Sequence, residues 1–301
     1  MKLLTTTWLK LGASLERARG WGADWFRLST PFVEWLDGQV IAHAGIIELP
    51  IVIAGEHKRI AGIHAVCTRV DQRRRGQMRT VLGQALAWAQ QQGFDGAALW
   101  AVQADVYAPF GFVARPESIF VGPVQGGPAR MQPLSLERSE DVEFLRAAIE
   151  GRAAISSQCG VVGAAELALL DLALWRPGPS LAWLPDLQCV VVYAVREHFL
   201  DLYDVFCPHE VTLADIAARL GEHIDTAVLY MAGSARAETA AALMAEGVDA
   251  GTPVVVVQNA SLPGSRRSAT TLSRLADLPV DESQGPVLLL LGEVYRELLD
   301  E

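Results

Sequence analysis

The sequence predicts an α/β protein with a mixed sheet, and three observations carry that reading. Two long strand-like runs, Gln39–Ala54 and Arg59–Val70, are separated only by Gly55-Glu-His-Lys58. The second run leads through an arginine- and glycine-containing turn directly into a helical pattern. Near the end, three continuous apolar runs (TAVLYM, PVVVVQ and PVLLLL) alternate with helix-like stretches.

The first two runs pair as a hairpin across the Gly55–Lys58 turn. In the second run, strict alternation places Ile63, Ala65 and Cys67 on one face and His64, Val66 and Thr68 on the other. Met78, Val81, Leu82, Ala85 and Ala89 then recur at helical spacing, and Gly93 is the stop signal. A short strand is expected at Ala97–Ala101, followed by a short helix and a further strand within Asp105–Glu117. From residue 126 to 222 the pattern reads helix, strand, strand, helix. From about Asp225 it reads strand, helix, strand, helix, strand, with helices at Ala235–Glu246 and Arg267–Ala276 and a Gly or Pro at most junctions. Continuous apolar strands need cover on both faces. This tail is therefore expected to form a compact α/β unit.

Composition narrows the function. The chain has 301 residues, 51% of them hydrophobic and 20% charged, as in a globular protein with room for more than one domain. No apolar run approaches the ~20 residues that span a bilayer. The N-terminal stretch lacks a continuous apolar core of signal-peptide type, so a mature cytoplasmic protein without membrane partners is expected. The four cysteines, Cys67, Cys159, Cys189 and Cys207, lie far apart and form no CxxC pair, which suits reduced thiols. A net charge of −10 argues against nucleic acid as a partner. Cys207-Pro-His209-Glu210 offers too few ligands for a metal site, and no metal is expected.

Against that acidic background, TRVDQRRRGQMRTVLGQALAWAQ (residues 68–90) stands out. A strand that turns through glycine into a helix N-terminus aims free backbone N–H groups at one spot, where phosphate oxygens bind. Gly76 permits close approach of the backbone. Arg73, Arg74 and Arg75 add charge-assisted bonds. The competing reading is a solvated arginine-rich turn.

The region from about Gln39 to Glu117 resembles the GNAT superfamily of N-acetyltransferases. Arg73-Arg-Arg-Gly76-Gln-Met78 is similar to that family's acetyl-CoA loop, Arg/Gln-x-x-Gly-x-Gly/Ala, with Met78 where a small residue is usual. Tyr107-Ala-Pro-Phe-Gly111-Phe112 looks like its Tyr-x-x-x-Gly-Phe segment. The resemblance implies that the amides of Ala65, Val66 and Cys67, on a splayed strand, hold the pantetheine arm. It implies that the backbone of Arg73, Arg74, Arg75, Gly76, Gln77 and Met78 holds the pyrophosphate, and that Tyr107 protonates the departing thiolate. A phenol of pKa ~10 can serve a thiolate whose acid has a pKa of ~8.5; the rival role for Tyr107 is packing. His64 is the candidate base, with His43 and Glu56 as alternatives. Positioning a neutral amine also contributes without any base. Cys67 reads as backbone support rather than nucleophile.

Residues 126–222 resemble the second lobe of tandem-type acetyltransferases, without a second Gly-rich loop. The tail resembles the C-terminal subdomain of uroporphyrinogen-III C-methyltransferases of the tetrapyrrole methylase family. Met231 and Ala260 match positions that line the S-adenosylmethionine pocket of that family. Its GxGPGD-type loop occurs nowhere in this chain, so S-adenosylmethionine is not expected to bind. The expected division is a GNAT-like catalytic domain at 1–125 with a compressed N-terminus, a second lobe at 126–222 and a partial methylase subdomain at 223–301. The expected function is acetyl-CoA-dependent acetylation of a primary amine on a small molecule or peptide, by direct transfer. Two alternatives are a methylase-related protein and a non-catalytic CoA-binding fusion module. A homo-oligomer is compatible with the sequence.

Overall fold

The computed structural model describes residues 2–101, 103–114, 118–154, 159–175, 178–197, 199–224, 226–229, 249–258, 266–278 and 287–291, together with the isolated positions 240, 241, 244, 296 and 299. Three helices come first: α1 (Lys2–Thr7), α2 (Leu11–Gly20) and α3 (Trp25–Leu28). They precede β1 (Thr30–Leu36), β2 (Gln39–Ile53) and β3 (Glu56–Thr68). A 3₁₀ turn at Val70–Gln72 leads to α4 (Gln77–Gln91) and β4 (Gly96–Ala98). Two further 3₁₀ turns, Ala104–Val106 and Ala108–Phe110, precede β5 (Ser118–Pro123) and β6 (Gln132–Leu134). Then come α5 (Ser139–Glu150), β7 (Cys159–Val161), α6 (Ala165–Leu174), β8 (Ser180–Leu184), β9 (Cys189–Arg196), β10 (Phe199–Phe206) and α7 (Leu213–Ala217). The last strands are β11 (Thr226–Leu229), β12 (Pro253–Gln258), β13 (Arg266–Thr271) and β14 (Val287–Leu291), with a 3₁₀ turn at Leu272–Asp277 before β14.

The chain forms two compact units. The first comprises Met1–Ala114, Leu134–Pro179 and Phe206–Glu210. Its sheet runs β1-β2-β3-β4, and β7 pairs with the far end of β2. β1, β2 and β3 are antiparallel; β4 joins β3 in parallel. The hairpin turn is tighter than Gly55–Lys58: Ile53 pairs with Glu56, and Ala54 and Gly55 both take positive φ, 51° and 80°. Such two-residue turns match the twist of the flanking strands. Helix α4 forms where the spacing of its apolar residues predicts it. Val81, Leu82 and Ala85 are fully buried against Ala42, Ala44, Ile46, Ala61 and Ile63. The helix gives way at Gly93, whose φ of 73° is left-handed. The opposite sheet face is covered by α1, with Leu3 and Leu4 buried, and by Trp25 of α3. The strand expected at Ala97–Ala101 is shorter, Gly96–Ala98. Arg146 of α5 donates to the Trp21 carbonyl at 2.8 Å, and Arg17 of α2 to that of Ala173, so α2, α5 and α6 are tied together.

The second unit comprises Arg115–Pro133, Ser180–Val205 and Val211–Glu301. Its sheet runs β13-β12-β14-β5-β11-β10-β9-β8-β6. Cys189–Tyr193 of β9 is buried at every position, as a strand covered on both faces must be. Arg196 of β9 pairs with the buried Asp201 of β10. Gly126 lies so close to the Gly221 and Ile224 carbonyls that a Cβ would meet them at 2.1 and 2.7 Å.

The tail strands lie where their apolar runs put them, but two expectations change. First, the units do not coincide with a division at 1–125, 126–222 and 223–301. β5, ahead of the first boundary, pairs with both β11 and β14 of the tail. The tail strands are therefore built around a segment some hundred residues upstream, rather than closing on themselves. Second, the helix expected at Arg267–Ala276 is β13, antiparallel to β12, followed by the 3₁₀ turn. Ser268-Ala-Thr-Thr271 suits a strand, and Leu272 and Leu275 reach the core from one turn of 3₁₀ helix. The compressed N-terminus consists of α1, α2, α3 and β1, and residues 2–28 are helical apart from short connections. Most of the helix expected at Ala235–Glu246 lies outside the described residues. No helix among them is long and apolar enough to cross a membrane.

Alanine is a poor residue at the positive φ of position 54. Ala54→Asn should stabilise the protein by about 0.5–1 kcal/mol, read as a higher urea midpoint with an unchanged slope.

Candidate active site

The site begins where β3 leaves its neighbour. β3 and β4 pair only at Ile60–Gly62 with Gly96–Ala98, yet β3 runs on to Thr68. Beyond Gly62 one edge of β3 has no strand beside it among the described residues. On the other edge the register to β2 changes: His43 faces Cys67 and Gly45 faces His64, so Ala65 and Val66 together oppose Ala44. This is a β-bulge. Ala65 takes φ 51°, a conformation that costs a non-glycine residue about 1–3 kcal/mol unless its surroundings hold it. The bulge overturns the expected alternation. Val66 packs with Ile63 in the α4 core, whereas Cys67 lies beside Thr7 of α1 on the opposite face.

The turn after β3 is anchored at its start. Arg69 donates its backbone N–H to Ile41 O at 2.8 Å and its guanidinium to Asp71 at 2.6 and 2.9 Å and to Gln39 at 3.1 Å. That bond holds the Asp71 carboxyl down to a pKa of about 2. Gln72 is buried, and Arg73 Nε donates to the Thr68 carbonyl at 3.3 Å. Arg74 (φ 61°) and Gly76 (φ 80°) are left-handed, and Gly76 is the residue that caps α4. No side chain caps this helix, so the N–H groups of its first turn are open to an anion. A Cβ on Gly76 would meet nothing within 4 Å. The glycine is required by its backbone angle and by the space an anion would occupy. Arg74 and Arg75 are exposed, and Gln77 and Met78 half-buried, at this end of α4.

Tyr107 lies between the two 3₁₀ turns and packs against the α4–sheet core. Its ring meets Phe112 edge-on, with centroids 6.0 Å apart. Partial burial raises its pKa, so the phenol stays protonated through neutral pH, as a general acid must. Gly111 beside it is left-handed, φ 88°.

The candidate bases separate clearly. His64 Nε2 lies 3.0 Å from Ser29 Oγ, its ring stands edge-on to Trp25 at 4.5 Å, and Nδ1 is buried without a partner. Burial, aided by His43, lowers its pKa to about 4, so it is neutral at pH 7 and a weak base. A Cβ on Gly45 would lie 2.5 Å from the His64 ring, so the glycine makes room for this histidine. His43, 5% exposed, has Nδ1 2.9 Å from the Ala65 carbonyl, and its pKa is lowered by burial. Glu56 sits at the hairpin tip, bonded to Lys58 at 2.7 Å. It is nine strand residues, roughly 30 Å, from Ala65, too far to serve the same site. Burial raises the Cys67 thiol pKa, the opposite of what a nucleophile needs. Cys207 is buried, while His209 and Glu210 are exposed. Met231 and Ala260 lie outside the described residues. Sequence reasoning missed the bulge and the His43–Ala65 bond. The one available signal was Gly45, a glycine inside an otherwise regular strand.

Fold and site together define an α/β domain in which a parted strand leads into an uncapped helix N-terminus. Residues 17–114 match the family model described as an acetyltransferase (GNAT) domain, and the chain carries such a domain there. A probable N-acyltransferase from Enterococcus faecalis V583 shares the fold, with a TM-score of 0.55 at 13% identity over 81% of this chain and 61% of that one. A GNAT family acetyltransferase from Brucella melitensis, solved in complex with acetyl-CoA, is 27% identical, with a TM-score of 0.28, over 35% of this chain and 64% of that one. Siroheme synthase from Actinobacillus pleuropneumoniae serotype 3 is 34% identical over 77 residues, which is 26% of this chain and 16% of that protein. That partial match is compatible with the resemblance of the tail to tetrapyrrole methylases. The chain thus spans about a sixth of that curated relative and about three fifths of the Enterococcus protein.

Gly76→Asp should weaken acetyl-CoA binding at least tenfold. It strains the turn and sets a negative charge at the helix N-terminus where phosphates would lie. Isothermal titration with CoA reads this; unchanged affinity would remove the anion role from the loop.

Proposed function

We propose that the protein is an acetyl-CoA-dependent N-acetyltransferase that passes the acetyl group directly to a primary amine. The observation that carries this reading is the end of β3–β4 pairing at Gly62, with β3 continuing through the bulge to an uncapped α4. An extended pantetheine arm fits such an opening as a surrogate strand. It would bond the edge of Ala65, Val66 and Cys67 while the pyrophosphate meets the Arg73–Met78 turn. The arm's thioester would then lie within the parted strands, with the acetyl carbon open to an incoming amine.

The amine nitrogen attacks the thioester carbonyl, and the carbonyl carbon–sulfur bond breaks as the tetrahedral species collapses. Tyr107 gives its proton to the departing thiolate, and its raised pKa favours the protonated form until that moment. The amine arrives neutral, and the charged nitrogen formed by its attack gives a proton to water, from which the Tyr107 phenolate is reprotonated. His64, neutral but committed to Ser29 and enclosed by Trp25, suits orientation better than strong base catalysis. Much of the rate is then assigned to proximity. Small-molecule or peptide amines are the proposed acceptors. Methyl transfer is not proposed, because the methylase-like tail lacks the Gly-rich loop that would complete a cofactor cleft.

Tyr107→Phe should lower kcat about 10²-fold and leave the KM for acetyl-CoA nearly unchanged, because the hydroxyl acts mainly in the transition state. An unchanged kcat with chemistry rate-limiting would return Tyr107 to packing. Calorimetric titration with S-adenosylhomocysteine should give no measurable heat of binding. A low-micromolar dissociation constant would restore the methylase reading.

A further inference from the structure

We infer that His43 is a positioning residue for acetyl-CoA: it locks the Ala65 bulge through its side chain and so aims the Val66 amide at the arm of the cofactor. The inference rests on the acetyl-CoA reading of the site. Three observations meet at one point. Ala65 holds φ 51° without being a glycine. The register between β2 and β3 shifts at this position, so the β2 backbone does not hold Ala65 in a regular ladder. The Ala65 carbonyl instead lies 2.9 Å from His43 Nδ1.

A carbonyl only accepts, so Nδ1 carries the proton and donates it. Burial lowers the pKa of His43, so the ring is neutral at pH 7 with its single proton on Nδ1. His43 is buried on the sheet face opposite α4, beside His64 and Cys67, so the bond it makes is shielded from water. Removing the donor leaves a half-buried carbonyl unpaired and removes a support from a strained residue. The bulge can then relax toward regular pairing. A one-residue shift of register sends each following side chain to the other face. Val66 would leave the α4 core, Cys67 would leave Thr7, and the free edge of β3 would no longer present the same amides.

The test compares His43→Leu, which fills the space without a donor, with His43→Asn, whose Nδ2 falls near the position of Nδ1. A third variant, His43→Gln, sets a donor one bond too far. His43→Leu and His43→Gln should each raise the KM for acetyl-CoA tenfold or more with a smaller change in kcat; His43→Asn should stay within about threefold of the parent. Adding Ala65→Gly to His43→Leu should recover part of the loss, because glycine takes positive φ unaided. Hydrogen exchange of the Val66 amide in the ligand-free protein should quicken in His43→Leu and not in His43→Asn. That readout does not depend on the cofactor, so it separates failure of this inference from failure of the acetyl-CoA reading. The inference is overturned if folded His43→Leu or His43→Gln keeps the parent's KM and exchange rates, or if His43→Asn is as damaged as they are. Should His43→Leu not fold, the Gln and Asn pair decides alone.

Discussion

A single left-handed residue in a β-strand, Ala65, governs the geometry of the first unit. A strand of uniform pleat would keep the ladder with β2 regular and could stay paired with β4. The inserted residue changes the register on one side just beyond the point where pairing ends on the other. β3 therefore arrives at the turn with one free edge, and α4 begins with its N–H groups uncapped. Both features are deficits of hydrogen bonding within the chain. A ligand with an extended amide-bearing arm and a diphosphate would supply what each lacks.

The surroundings of that opening are closely packed. On one face α4 buries Val81, Leu82 and Ala85 completely. On the other, His43 and His64 are enclosed by α1, Trp25 and Ser29. The turn is held at its start by the Arg69 bonds to Asp71 and Gln39. A strained bulge and two left-handed turn residues persist because packing and buried polar contacts over-determine them.

The second unit follows a different rule. Its strands β12, β14 and β11 are apolar runs that any α/β reading would find, but their order depends on β5, an element from an earlier part of the chain. β5 pairs in parallel with β14 and antiparallel with β11. Strand pairing recognises exposed backbone edges and not sequence distance, so the tail strands take a neighbour from an earlier part of the chain.

Residue type and spacing alone determined the hairpin of β2 and β3, helix α4 with its glycine stop, and the apolar strands of the tail. These depend on local periodicity and on turn residues, which act within a few positions. The sequence also marked Gly76 and the arginines, because a glycine between a strand and a helix, with cations beside it, suits an anion. It could not show the bulge, because Ala65 has no local cue for positive φ and obtains it from partners in β2. It misplaced β13, because Arg267–Ala276 carries a helix-like apolar spacing, and pairing with β12 outweighs that weak preference. It put His64 ahead of His43 and Glu56 only because His64 lies one strand residue from the expected pantetheine arm. What separates them is burial, the Ser29 and Ala65 partners and roughly 30 Å of strand, all created only when distant segments pack together.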